Sequence, residues 1–140
     1  MSTPIDWDAL ARAAHEIRAR AYAPYSGYTV GAALLAEDGR VFVGANVENA
    51  SYGLGLCAER SAIASAVAAG VKRFVAIAVA SPGDVAASPC GACRQVLAEF
   101  PPSFPVRCYA ERGEPLVSDV ASLLPAAFGP SVLERGRSAP

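Results

Sequence analysis

The sequence predicts an α/β fold, a three-layer α/β/α sandwich whose middle layer is a mixed five-stranded sheet. Three observations point there. Apolar spacing switches between the two-residue period of strands and the three-to-four-residue period of helices, in the order helix, hairpin, helix, strand, helix, strand, short strand and helix. The strand-helix-strand-helix-strand stretch within that order implies right-handed crossovers and locally parallel strands, whereas the hairpin before it is antiparallel. After Arg60 one helix carries no charge as far as Ala69, and a helix that is apolar and small all round is normally covered on several sides.

The elements follow in order. Thr3-Pro4-Ile5-Asp6 offers a hydroxyl cap, proline at the first helical position and an acid in the first turn. Leu10, Ala14, Ile17 and Ala21 then continue the helical spacing, so the first helix is expected over about residues 4–21. Residues 30–36 and 41–47 read as two strands joined by Glu37-Asp38-Gly39-Arg40, whose Asp-Gly centre is a hairpin turn. Small residues in the hairpin (Gly31, Ala32, Ala33, Gly44, Ala45) imply a close neighbour on at least one face. A polar loop over residues 46–53 leads to the uncharged helix, residues 58–69, stopped by Gly70. Residues 74–80 form an unbroken apolar run suited to an interior strand. A Pro/Gly/Ser-rich loop follows, then a helix over 90–100 with Val96, Leu97 and Phe100 inward, ended by Pro101-Pro102. Residues 106–110 and Leu116-Val117 supply the last strands, before a helical turn capped by Ser118 and Asp119.

At 140 residues the chain is expected to be one domain over residues 1–140, with residues of about 130–140 a frayed, flexible tail. Charged residues make up 18% and nearly balance at a net −1, with no run of like sign, so neither nucleic acid nor an anionic membrane is an expected partner. No apolar run approaches the roughly 20 residues of a membrane span, and acids stand near the N-terminus where a signal peptide carries bases. A cytoplasmic protein is the resulting expectation, and its four cysteines are expected to be reduced ligands or buried thiols.

Chemistry concentrates at Cys57-Ala58-Glu59-Arg60 and Pro89-Cys90-Gly91-Ala92-Cys93-Arg94-Gln95. The two-residue gap between Cys90 and Cys93 lets two sulfurs converge on one ion, and the fold must bring Cys57 to them. Both segments open helices, where unpaired N–H groups and the positive helix end favour thiolates. Three sulfurs on Zn²⁺ would leave a fourth corner for water, and Glu59, two residues from Cys57, can reach that corner without being a ligand. Three thiolates and Zn²⁺ sum to a single negative charge, which opposes ionisation of the water. A positive neighbour is therefore expected, and Arg60 is favoured over Arg94 for hydrogen bonding to ligand sulfur. His15, the lone histidine, has no nearby partner ligand and is read as a surface or capping residue.

These two motifs resemble the three-cysteine, homotetrameric class of cytidine deaminases. The resemblance extends to Tyr22-Ala23-Pro24-Tyr25-Ser26, Val30-Gly31-Ala32-Ala33-Leu34, Asn46-Val47-Glu48-Asn49-Ala50-Ser51-Tyr52-Gly53 and Leu123-Leu124-Pro125 with Phe128, so it spans residues 22–128. It implies a cytidine deaminase-like fold with one Zn²⁺ per subunit on Cys57, Cys90 and Cys93, and Glu59 as the proton carrier. It implies hydrolytic deamination of cytidine and 2′-deoxycytidine to the uridines with release of ammonia, in pyrimidine salvage. Asn46 and Glu48 match positions that hydrogen-bond the sugar hydroxyls, Tyr28 a base-stacking position, and Ala58 a backbone contact to the base. Ala50, Tyr52 and Phe128 match positions that complete a neighbouring subunit's site, with the uncharged helix at the tetramer core.

Two departures stand out: Gly55 replaces the family's usual threonine, and Tyr28 its usual phenylalanine, which keeps an aromatic face for stacking. Rival readings are a closed structural zinc site with Cys108 as fourth sulfur, a redox pair at Cys90 and Cys93, and a polynucleotide deaminase. The near-neutral charge and the Asn46/Glu48 pair favour a free nucleoside over the last.

Overall fold

The computed structural model describes residues 4–138. Its sheet has five strands: β1 (Gly31–Ala36), β2 (Val41–Ala45), β3 (Phe74–Ala80), β4 (Pro105–Tyr109) and β5 (Leu116–Asp119), in the spatial order β2-β1-β3-β4-β5. The β1/β2, β1/β3 and β4/β5 pairs are antiparallel and β3/β4 is parallel, so the sheet is mixed as predicted. At the hairpin tip Gly39 has φ +92°, a left-handed conformation that suits glycine, and the Asp38 carboxylate accepts the Arg40 amide.

Strand alternation divides the interior into two layers. Ala32 and Leu34 of β1, Ile77 and Val79 of β3, and Val106 and Cys108 of β4 face one core. Ala58, Ala62, Ile63 and Ala66 of α2 (Ala58–Ala68) and Leu97 of α3 (Gly91–Ala98) close that core. Ala33, Ala76, Ala78 and Ala80 face the other, covered by Leu10 and Ala14 of α1 (Trp7–Ile17). Leu34, Ile77 and Leu97 are fully buried, and truncating any one to alanine costs about 2–5 kcal/mol.

Two glycines set how closely the helices approach. A Cβ on Gly31 would lie 2.0 Å from the Ala14 carbonyl oxygen, so α1 rests directly on the β1 backbone. A Cβ on Gly44 would lie 2.5 Å from both the Ala58 oxygen and the Ala62 nitrogen, so the first turn of α2 sits on β2 with no room for a side chain between them. Small residues in the hairpin thus have the close neighbours their composition implied, one helix on each face.

The structure differs from the sequence reading in several places. Helix α1 begins at Trp7, because the Asp6 carboxylate accepts the Ala9 amide and caps the helix there. Thr3, the expected cap, lies outside the described residues. The helix gives way to a 3₁₀ turn over Arg18–Arg20. Strand β2 stops at Ala45, and Val47 instead makes isolated bridges to Tyr22 and Leu56. At the far end α4 (Val120–Leu123) is capped by Asp119, whose carboxylate accepts the Ser122 amide, while Ser118 belongs to β5. The stretch read as a frayed tail carries α5 (Pro130–Arg137), with proline in its first turn and no buried residue. Finally, among the described residues α2 is covered on one face only; Ala64, Ser65, Val67 and Ala68 are exposed, because no second described element crosses that side. No helix among the described residues is long and apolar enough to cross a membrane.

Candidate metal centre and active site

Helices α2 and α3 begin at the same place. Cys57 is the N-cap residue of α2 and Cys90 that of α3, and neither helix start has a side-chain cap hydrogen bond. Cys93, in the first turn of α3, is wholly buried. The sulfurs of Cys57, Cys90 and Cys93 all lie within 4.8 Å of one another, and those of Cys57 and Cys90 are 3.8 Å apart. A tetrahedral ion with sulfur at about 2.3 Å holds its ligands about 3.8 Å apart, so this donor set fits Zn²⁺. Cys108 is not part of the cluster; it is fully buried within β4, and burial pushes its thiol up to about 12. That geometry disfavours a closed four-sulfur site, and the nearness of Cys57 disfavours an isolated redox pair.

The electrostatics favour a thiolate at Cys57. The Cys57 thiol is lowered to about 5, first by a hydrogen bond from Cys93 and then by the Arg60 guanidinium, whose Nη2 donates to its sulfur at 3.4 Å. The Cys93 thiol is raised far above its ordinary value, chiefly because its proton serves that bond. Glu59 is only 4% exposed; burial, with the Cys57 charge a lesser cause, raises its pKa above the usual carboxylate range. A carboxyl held closer to neutrality is suited to both accepting and returning a proton.

The two arginines separate. Arg60 faces sulfur, and its buried Nε finds no protein partner. Arg94 is spent elsewhere: Nε donates to the Pro89 carbonyl at 2.8 Å, Nη1 to the Leu123 carbonyl at 2.9 Å and Nη2 to the Ser88 hydroxyl at 2.8 Å. It braces the segment that delivers Cys90.

A cavity of about 260 Å³ opens onto the cluster, lined by Ser26, Tyr28, Asn46, Glu48, Ala58 and Glu59 among others. The structure thus places Tyr28, Asn46, Glu48 and Ala58 around the same space as Cys57, Cys90 and Glu59. Asn46 accepts the Val30 amide at 2.8 Å and donates to the Tyr28 carbonyl at 2.9 Å, fixing the aromatic wall. Reciprocal 2.9 Å hydrogen bonds between Val47 and Leu56 tie the Asn46–Glu48 segment to the residue before Cys57. Ala50, Tyr52 and Phe128 do not line this cavity; Tyr52 is 80% and Phe128 59% exposed.

Sequence reasoning missed three supporting residues. Gly44 was noticed only as small, without the helix it receives. Arg18, which donates to the Thr29 carbonyl and hydroxyl and to Glu111, links the end of α1 to the residue after Tyr28. Ser26 was read only as part of a stretch that carries the resemblance, with no role of its own.

Comparison with known proteins agrees with this geometry. Residues 6–106 match the family model for the cytidine and deoxycytidylate deaminase zinc-binding region. A cytidine deaminase of Sporosarcina psychrophila is 47% identical over 125 residues, 89% of this chain and 92% of that protein. A cytidine deaminase of Mycobacterium tuberculosis is 43% identical over 133 residues, 95% of this chain and 97% of that protein. The crystal structure of a cytidine deaminase from Burkholderia pseudomallei superposes with a TM-score of 0.85 at 50% identity, covering 89% of this chain and all of that one.

Proposed function

Because the chain belongs to the cytidine and deoxycytidylate deaminase family, we propose that it catalyses the zinc-dependent hydrolysis of cytidine and 2′-deoxycytidine to uridine and 2′-deoxyuridine. The observation that carries the reading is the buried Glu59 beside three converging thiols, at the floor of a cavity whose mouth holds Asn46 and Glu48. In this reading Cys57, Cys90 and Cys93 hold the Zn²⁺. Zinc bound there supplies Lewis-acid activation of water at neutral pH.

The chain's own residues do the rest. Glu59 takes a proton from the attacking water and gives it to the ring nitrogen N3 as the C4–O bond forms; the remaining hydroxyl proton then passes through Glu59 to the amino group as the C4–N4 bond breaks and the C4 carbonyl forms. Water is consumed and ammonia leaves. Arg60 offsets part of the thiolate charge through its bond to Cys57. The Ala58 backbone and the Tyr28 ring hold the base, the latter by stacking. Asn46 keeps one amide N–H uncommitted to protein, and the Glu48 carboxylate, with three of about four acceptor sites filled, keeps one. A donor and an acceptor side by side complement one sugar hydroxyl.

The finer assignments belong to the same proposal. The uncovered small-residue face of α2 and the exposed Tyr52 and Phe128 support a homotetramer in which Ala50, Tyr52 and Phe128 complete a neighbouring subunit's site. A cytoplasmic enzyme of pyrimidine salvage fits the composition and the small substrate. A 5′-phosphate would bring negative charge near Glu48, so cytidine monophosphate is expected to be a poor substrate.

The test is an ultraviolet assay of the zinc-loaded protein on cytidine, deoxycytidine and cytidine monophosphate. Loss of the two nucleosides with release of ammonia is expected. An inert protein overturns the reading, and efficient turnover of the monophosphate overturns its account of the sugar end.

A further inference from the structure

The hydroxyl of Ser26 sits between two committed partners. Its oxygen accepts the Tyr28 amide at 3.0 Å, and a hydroxyl has one proton to give. Because Tyr28 is a donor, that proton faces the other neighbour, the Glu48 Oε2 atom, with which Ser26 makes a short contact. The second carboxylate oxygen, Oε1, accepts the amides of Tyr25 at 2.9 Å and Ser26 at 3.1 Å. Ser26 and Glu48 both line the cavity over Cys57 and Glu59, and also a neighbouring cavity of about 320 Å³ bounded by Tyr25, Asn49 and Tyr52. They therefore stand where the two spaces adjoin.

We propose that Ser26 is a positioning residue for the nucleoside's sugar: its hydroxyl, aimed by the Tyr28 amide, fixes the rotation of the Glu48 carboxylate so that one acceptor site points at the sugar. The inference rests on the reading above, in which Glu48 receives a sugar hydroxyl. The two amides on Oε1 hold the carboxylate at one oxygen and leave it free to swing about that point. Among the described residues only the Ser26 hydroxyl holds the second oxygen. Charge-assisted bonds of this type are among the stronger ones available to a side chain, and this one is also the first cause of the low pKa of Glu48. Removing the hydroxyl leaves both backbone bonds to Oε1 intact, so the turn stays attached while the aim is lost.

The test compares Ser26→Ala and Ser26→Thr with the parent enzyme, all zinc-loaded and checked for equal thermal melting. Steady-state kcat and KM are measured on cytidine, and the inhibition constant of 2′,3′-dideoxycytidine, which lacks both ring hydroxyls, is measured as a competitor. Ser26→Ala should raise KM for cytidine about tenfold with kcat within about twofold, leave the dideoxynucleoside constant unchanged, and be rescued by Ser26→Thr. An unchanged KM, or an equal loss on both nucleosides, overturns the proposal and leaves Ser26 as a turn residue. Absence of turnover by the parent enzyme overturns the functional reading itself and this inference with it.

Discussion

Helices α2 and α3 bring cysteines to one point, yet they are held by opposite means. The first turn of α2 is placed by something missing: Gly44 has no side chain, and the helix backbone settles onto β2 in the space. The start of α3 is placed by something added: Arg94 reaches back to Ser88 and Pro89 and across to Leu123. Their content differs as well. Two residues after its N-cap cysteine, α2 carries Glu59, whereas α3 carries Ala92. The contrast teaches that equal ligand duty does not mean equal chemical duty. In the proposed reaction one arm carries the proton chemistry, beside the positive neighbour of the cluster; the other supplies two sulfurs and is braced to keep them still.

The sharpest way to break this contrast is Glu59→Ala. It should lower kcat by about a thousandfold or more, since acid and base roles vanish together, with zinc content and melting temperature retained. Activity within tenfold of the parent would make the two arms chemically alike. Next comes Gly44→Ala, which forces a methyl group against the Ala58 carbonyl and the Ala62 amide. A loss of about 1–3 kcal/mol in a denaturant melt is expected, together with weakened turnover as Cys57 and Glu59 shift with their helix. Full stability and activity would show that α2 is not seated through Gly44. The smallest effects are a crossed pair. Arg94→Ala strips donors from two carbonyls and a hydroxyl and should cost about 1–3 kcal/mol of stability, with kcat per bound zinc little changed. Arg60→Ala should leave the melt in place but lower kcat about tenfold, because the thiolate charge is no longer offset. Matching outcomes for the two variants would dissolve the distinction between brace and charge partner.

Much of this arrangement was legible because it is local. The Asp38-Gly39 turn needs a left-handed glycine and has one. The apolar run at residues 74–80 is buried on both faces of the sheet. The cysteine spacing announced the cluster, and Glu59 follows Cys57 closely enough for its place beside the metal site to be read from the chain. What stayed hidden depends on partners distant in sequence. Arg94 stood beside Arg60 as a candidate, though a less favoured one, and its bond to the Leu123 carbonyl, far along the chain, could not be read from the sequence. Ser26 gained its role only when Glu48 folded back over the turn. Gly44 matters because a helix lands on it, and no periodicity records a landing. The outer face of α2 shows the reverse limit: its lack of charge suggested a covered helix, but the described residues leave that side exposed.

The paired hydrogen bonds between Val47 and Leu56 act as a caliper. One jaw is the Asn46 and Glu48 side chains, the other is Cys57 and the turn beyond it, and the pin between them is backbone, which does not stretch. With the roles proposed above, the gap between the jaws measures the distance from a sugar hydroxyl to the amino-bearing carbon of the ring. An isomer with the sugar attached at another ring atom presents every recognised group and still fails, because its length is wrong. Selectivity of this kind requires no wall to collide with; it is written in the spacing of two amides and two carbonyls.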